Sequence, residues 1–302
     1  MRGWLVFPAV LLLTSGCGST NQPPRSGAPK AGATSLRALA RGPGPQVALV
    51  PGASDFVPGT IRFPFLIIDR SGRSIERSRA QVWVSRGLEL RPFEQQTAHL
   101  QQVGVPGGAR GEVSHLYVVS LRVAKPGKYW LLAEPVGGDP IQGLGNLLVR
   151  AHSFSPAIGA KALSSATPTL RSAHGDVAKL TTRIPPDRDL LQFSVAESLK
   201  AHKPFVLVFA TPKFCSSRTC GPVVDVIDAV SKRLSHSGIR FIHVEIYKDN
   251  DPAAGFNEWV RRWHLPTEPW VFLVGGDGRI KAKFEGSVST LELVQAVRKY
   301  LL

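Results

Sequence analysis

Residues 205–222 read FVLVFATPKFCSSRTCGP: an unbroken apolar run, then two cysteines, then a glycine–proline step. The continuous apolar run over 205–210 is typical of a strand that is buried on both faces. Pro222 suits the first turn of a helix, and apolar residues recur at helical spacing over 222–234. The stretch therefore predicts a buried strand that leads through a cysteine pair directly into a helix.

The spacing of Cys215 and Cys220 limits how the two residues can pair. In a regular helix, residues five positions apart have Cα atoms about 8.7 Å apart, whereas a disulfide needs less than about 7 Å. If the pair closes, Cys215 lies in a loop and Cys220 lies beside the start of the helix. The partial positive charge of a helix N-terminus stabilises a thiolate, so the pair is a candidate for disulfide exchange. The alternative is an inert, stabilising disulfide.

The rest of the C-terminal region alternates between helical and strand patterns. Ser194 and Glu197 form the pattern of a capping box at the start of the first helix. Helices are predicted over 195–201, 222–234, 253–263 and 290–301, and strands over 205–210, 239–247, 270–274 and 279–284.

This order of elements, together with four short motifs, resembles the thioredoxin superfamily, especially its extracytoplasmic, membrane-tethered members. The resemblance covers about Leu190 to Leu302. Its motifs are Phe214-Cys215 after the central strand, Pro269 at the position of a cis-proline, Asp277-Gly278-Arg279-Ile280 in a hairpin turn, and Gly286 before the last helix. The expected fold class is two-domain: an antiparallel immunoglobulin-like β-sandwich followed by an α/β thioredoxin-like domain.

The resemblance implies roles for the two cysteines and for the loop beside them. Cys215 is expected to attack the substrate disulfide and Cys220 to resolve the mixed disulfide. A second assignment makes Cys220 the nucleophile, because Cys220-Gly221-Pro222-Val223 is similar to a family motif whose last cysteine has been lost. Glu268, directly before Pro269, is a candidate proton acceptor for the resolving thiol or, alternatively, a solvated loop carboxylate. The predicted catalytic set is Cys215, Cys220, Pro269 and Glu268.

Short strands without helical spacing fill the region 46–152. Strands are predicted over 46–50, 60–68, 80–85, 115–123, 128–135 and 146–151, with turn signals between them. Regular short strands of this kind indicate an antiparallel β-sandwich, and the stretch 125–130 resembles a hairpin of bacterial immunoglobulin-like modules. A spacer or a protein-contact module is the expected role. Residues 153–186 are predicted to be a linker draped over one domain, and residues 187–302 the thioredoxin-like domain.

The N-terminus has the pattern of an export signal. Arg2 precedes an apolar run over 4–13 that is too short to span a bilayer. Thr14, Ser15, Gly16 and Cys17 follow, which resembles a bacterial lipobox and makes Cys17 the lipidation site. A simple signal peptide that leaves Cys17 as a spare thiol is the alternative. Residues 1–17 are therefore predicted to be a lipoprotein signal, and residues 18–45 a disordered tether.

The composition limits the classes of partner that the chain is expected to bind. The formal net charge is +15 over 302 residues, which favours anionic lipid surfaces or acidic partners, or simply gives an arginine-rich soluble surface. No basic helix interleaved with aromatic residues is present, so nucleic-acid binding is not expected. No cofactor is expected either.

Three functions remain open from the sequence. The first is a membrane-anchored, extracytoplasmic thiol–disulfide oxidoreductase that acts on thiols or disulfides of exported proteins. The second is a non-catalytic interaction protein with a structural disulfide. The third is a copper-handling protein, in which Cys215, Cys220 and His264 would be the ligands. On balance, no metal site is expected.

Overall fold

Two β-sheets organise the chain. The computed structural model describes residue 1 and residues 34–108, 113–215 and 219–302. The predicted signal segment and Cys17 lie outside these residues. The strands are β1 Gln46–Pro51, β2 Gly59–Ile68, β3 Arg79–Ser85, β4 Glu94–Gln102, β5 His115–Val123, β6 Gly127–Pro135, β7 Gln142–Val149, β8 Phe205–Phe209, β9 Arg240–Val244, β10 Trp270–Val274 and β11 Ile280–Glu285. The α-helices are α1 Leu36–Ala40, α2 Val195–Lys200, α3 Cys220–Arg233, α4 Glu258–Arg262 and α5 Thr290–Tyr300.

The first seven strands form a closed barrel in the order β1-β2-β5-β4-β3-β6-β7. All neighbouring strands are antiparallel except β1 and β7, which pair in parallel and close the ring. Every second side chain of β2 points inward, so that Phe63, Phe65 and Ile67 are fully buried. Phe65 stacks on Tyr117 of β5 with ring centroids 5.2 Å apart. The interior is therefore filled by apolar and aromatic side chains.

Helix α1 packs on the outside of the barrel. Ser35 caps its N-terminus, and the backbone N–H of Leu36 donates to the carbonyl of Leu90. Leu36 is fully buried and belongs to a small cluster with Leu132, against which Trp83 and Trp130 also pack. This helix lies within the range 18–45 that the sequence predicts as a tether.

The second sheet has four strands in the order β11-β10-β8-β9. Strands β8 and β9 are parallel and are connected by α3, whereas β10 is antiparallel to both β8 and β11. The two central strands, β8 and β10, are buried on both faces, as the apolar run over 205–210 predicts for β8. One face packs against α3 and α5, and the other face packs against α4 and against Trp263. Ser194 and Glu197 form the predicted capping box of α2.

The predicted fold class is wrong. In place of an immunoglobulin-like β-sandwich, the first strands form one closed ring, because β1 pairs with both β2 and β7 and β3 pairs with both β4 and β6. The strand that completes the ring on one side, β4, is polar, with Ala98 as its one fully buried residue. The alternation of apolar and polar residues predicts which face of a strand is buried, but not which strand edges pair. The closed barrel could therefore not be predicted from the sequence.

The recognition of a thioredoxin-like α/β domain at the C-terminus is likewise wrong. The structure is mostly β, a seven-strand barrel with a small four-stranded sheet and about 20% helix. The predicted elements overestimated the helical content of the C-terminal region. The helix expected over 253–263 shortens to Glu258–Arg262, because Gly255 has a φ of 72° and interrupts it. Across the described ranges, no helix is both long and apolar enough to cross a bilayer.

Candidate functional site

A disulfide joins Cys215 and Cys220 at the N-terminus of α3. The Cα atoms are 5.9 Å apart, and α3 begins at Cys220, with Thr219 as its N-cap residue. The prediction that Cys220 lies at the helix start and Cys215 before the helix is therefore confirmed. The backbone N–H of Cys220 donates to Sγ of Cys215 over 3.2 Å. The first turn of α3 contains no acidic residue that would offset the positive end of the helix dipole.

The two cysteines differ in exposure. Cys215 is half-buried, whereas Cys220 is fully buried in the cluster between the sheet and α3. Val105, from the segment that follows β4 of the barrel, packs against the same cluster. Gly104 has a φ of 79°, and a Cβ placed on it would lie 3.1 Å from Cβ of Pro222. The barrel therefore touches the first turn of α3, beside the disulfide.

The loop before β10 reaches the same place from the sheet. The peptide bond between Glu268 and Pro269 is cis, as the sequence predicts. Pro269 is buried and Glu268 is half-buried. Glu268 and Thr219 line one cleft. The structure thus brings Glu268 close to the start of α3, while its role as a proton acceptor stays a prediction.

Aromatic side chains form the wall beside the disulfide. Phe214 meets Tyr247 edge to face, with ring centroids 6.5 Å apart, and Tyr247 stacks on Phe256 at 5.7 Å. Burial raises the pKa of Tyr247, and the negative charge of Glu268 raises it further. Lys213 lies over the ring of Phe214 at 5.0 Å. The residue directly before Cys215 is therefore fixed by ring contacts.

A polar network behind the loop was not anticipated from the sequence. The carboxylate of Glu245 accepts hydrogen bonds from the backbone N–H and the hydroxyl of Thr182, at 2.6 and 2.8 Å. The hydroxyl oxygen of Thr182 in turn accepts from the backbone N–H of Lys213 at 3.1 Å. Glu245 is almost fully buried. A carboxylate within the run FIHVEI, in which only His243 and Glu245 are polar, was the signal that could have revealed this anchor.

His243 lies on the same face of the sheet as Glu245. It is fully buried, and its Nε2 lies 3.0 Å from the carbonyl oxygen of Ala210. Burial lowers the pKa of His243, because the charged imidazolium would lose its hydration. The neutral ring therefore holds the end of β8, five residues before Cys215.

A carboxylate cluster stands further along α3. Arg183 binds Asp225 at 2.8 Å and Asp228 at 3.3 Å. Burial, together with a hydrogen bond and a charge from Asp228, raises the pKa of Asp187 to about 6. These contacts fix the segment 183–187 against α3, and all of it except Asp187 belongs to the predicted linker 153–186.

Metal binding has no support among the residues that the structure describes. In those ranges, no three His, Cys, Asp or Glu side chains are grouped so that they could hold a metal ion. His264, the third ligand of the copper alternative, is exposed and has a φ of 53°.

No protein-family model matches the sequence. No curated protein has significant sequence similarity to it.

Proposed function

We propose that the protein is an extracytoplasmic thiol–disulfide oxidoreductase, held at a membrane by a lipid on Cys17, that exchanges disulfides with exported proteins through Cys215 and Cys220. The observation that carries the proposal is the pair itself. A half-buried Cys215 and a fully buried Cys220 are joined at the N-terminus of a 14-residue helix, whose N-cap residue Thr219 lines a cleft.

The position of the pair favours a reactive disulfide. A thiolate at residue 215 would receive the N–H of Cys220 and the field of the α3 dipole, and both lower the pKa of a thiol. Disulfides persist in oxidising compartments, which fits the export signal predicted at the N-terminus.

The different exposure of the two sulfurs supports Cys215 as the attacking thiol and Cys220 as the resolving thiol. In the reduced protein, the Cys215 thiolate attacks one sulfur of the substrate disulfide, and the other substrate sulfur leaves as a thiolate. The buried Cys220 then attacks Sγ of Cys215, which releases the second substrate sulfur. The substrate gains two electrons, the protein loses two, and the two thiol protons pass to the released sulfurs. The reverse sequence oxidises a substrate dithiol.

Trapping the mixed disulfide tests the proposal. A full-length Cys220→Ser variant cannot resolve the intermediate, so we expect it to accumulate mixed disulfides with exported proteins and with glutathione. A Cys215→Ser variant is the matched control, since its remaining thiol is buried. Equal labelling of the two variants, or none in either, would show that the disulfide is structural.

A further inference from the structure

Three consecutive residues of the predicted linker lie against the structure around the disulfide. They are Thr181, Thr182 and Arg183, and we call them the strap. Thr181 is buried, and the other two are half-buried. A segment that only joined two parts of the chain would not need to bury polar side chains, because their burial costs free energy unless each finds a partner. The partners of the strap therefore indicate what it does.

Thr182 connects the loop before Cys215 to the sheet. Its hydroxyl donates to the buried carboxylate of Glu245 at 2.8 Å and accepts from the backbone N–H of Lys213 at 3.1 Å. Its own backbone N–H donates to the same carboxylate at 2.6 Å. Lys213 precedes Cys215 by two residues, so this one hydroxyl ties the loop to β9 close to the cysteine.

The other two residues of the strap contact the elements on either side of the loop. The hydroxyl oxygen of Thr181 lies 3.4 Å from Nδ1 of His243, and Nε2 of the same ring lies 3.0 Å from the carbonyl oxygen of Ala210, directly after β8. Arg183 donates to the carboxylate of Asp225 in α3 at 3.0 and 2.8 Å. The strap thus contacts the loop directly, the helix after it directly, and the strand before it through His243.

These contacts limit how far Cys215 can move from Cys220. In the oxidised protein the disulfide itself joins the two residues, so the strap adds little constraint. In the reduced protein no bond joins the sulfurs, and the strap keeps the loop in the conformation in which they meet. Holding two reacting groups in the geometry of the product lowers the conformational entropy that their reaction costs. The strap therefore favours closure of the disulfide.

We infer that Thr182 is a positioning residue for the cysteine pair, and that the strap sets how readily the pair closes by fixing the loop between β8 and α3. This inference rests on the proposed function and deepens it, because it gives a segment of the predicted linker a part in setting the redox behaviour of the pair. The strap acts through the backbone of the loop and takes no part in the transfer of electrons.

The equilibrium between the reduced pair and the disulfide tests the inference in the full chain. The protein would be equilibrated in dithiothreitol buffers of graded potential, and the thiols would be counted by alkylation and mass spectrometry. Thr182→Val replaces the hydroxyl by a methyl group. We expect it to lower the equilibrium constant for closure about threefold, in the range of the net contribution of one hydrogen bond. The reduction potential should then rise by about 14 mV, since a tenfold change corresponds to about 30 mV.

Two further variants separate positioning from a general loss of stability. Thr182→Ser keeps the hydroxyl, so we expect it to keep the closure constant of the unmodified protein. Thr167→Val is the matched control, since Thr167 also belongs to the predicted linker, is 2% exposed, and accepts from the backbone N–H of Val195 at the start of α2. We expect this control to unfold more easily without a change in the closure constant. Circular dichroism checks folding, and Thr182→Ala repeats the measurement should Thr182→Val not fold.

The exchange of glutathione at Cys215, followed in the same proteins, separates the inference from the proposed function. A closure constant that Thr182→Val leaves unchanged, that Thr167→Val lowers equally, or that Thr182→Ser fails to restore would overturn the strap, and the oxidoreductase would stand where Cys215 exchanges. A constant lowered in Thr182→Val alone, without any exchange, would overturn the oxidoreductase and leave a strap that holds a structural disulfide. An unchanged constant without exchange would overturn both.

Discussion

The barrel and the four-stranded sheet differ in what they bury. The barrel interior is apolar and aromatic, and the two buried polar residues on the barrel strands, Ser85 and Gln142, are neutral. The sheet and its helices bury four titratable side chains: Asp225, Asp228, His243 and Glu245. Buried titratable groups cost free energy unless they are well paired, and they concentrate at functional sites. The difference supports placing the proposed chemistry at the sheet, with the barrel as an apolar neighbour beside it.

Substitutions in the barrel core should cause the largest loss of stability. We expect Phe65→Ala to lower the free energy of unfolding by about 3–5 kcal/mol, since it removes a fully buried ring and leaves a cavity. Urea denaturation would measure the loss. Leu148→Ala, at a side chain that is 46% exposed, is the control, with an expected change below about 0.5 kcal/mol. Similar losses in the two variants would contradict a tightly packed barrel interior.

Removing the contact between the barrel and α5 should cause an intermediate loss of stability. Arg62 of β2 binds both carboxylate oxygens of Glu292, at 2.7 and 2.9 Å, and the carbonyl of Ser287. We expect Arg62→Ala to cost about 2 kcal/mol, because a partly buried carboxylate loses a charged donor. Arg73→Ala removes an ion pair whose arginine side chain is 82% exposed, and should change stability little. If the two variants unfolded alike, the barrel would not be firmly docked on the sheet.

A substitution in the carboxylate cluster beside α3 should change stability the least, and the change should depend on pH. The pKa of Asp187 is raised to about 6 from 3.8. Between these values the folded protein holds a proton that the unfolded chain has released, so this group's contribution to stability falls as the pH rises towards 6 and is then constant. Asp187→Asn removes this dependence. It should stabilise the protein at pH 7.5 by about 1 kcal/mol, with a smaller gain near pH 4.

Thermal unfolding of Asp187→Asn and the unmodified protein at pH 4, 5, 6 and 7.5 would check this sign. Asp139→Asn, at an exposed carboxylate, is the matched control. A gain that is the same at every pH would mean that Asp187 does not share a proton with Asp228.

The sequence predicted individual elements better than their assembly. The strand over 115–123, the position of Cys220 beside the start of a helix and the cis bond before Pro269 are all as predicted, although the helix begins at Cys220 and not at Pro222. These features depend on local physics: strand alternation, helix-end geometry and the conformational limits of proline. The polar β4 and the short α1 were missed, because neither carries a strong apolar period.

The candidate site was predicted only in part. The cysteine pair and Glu268 could be found from motifs and spacing. Thr182 and Glu245 are in contact although they lie 63 positions apart along the chain. Leu66, from the barrel, lines the same cleft as Thr219 and Glu268, which lie beside the other sheet. Such contacts depend on the packing of the whole chain, which no local pattern contains.

The reduction potential of the Cys215–Cys220 pair tests the central claim most directly. The full chain would be equilibrated with glutathione buffers of graded potential, and the free thiols would be counted by alkylation and mass spectrometry. We expect a potential above about −300 mV, in the range of disulfides that exchange. A value below that limit, with no exchange of glutathione at Cys215, would show a structural disulfide and contradict the proposed function.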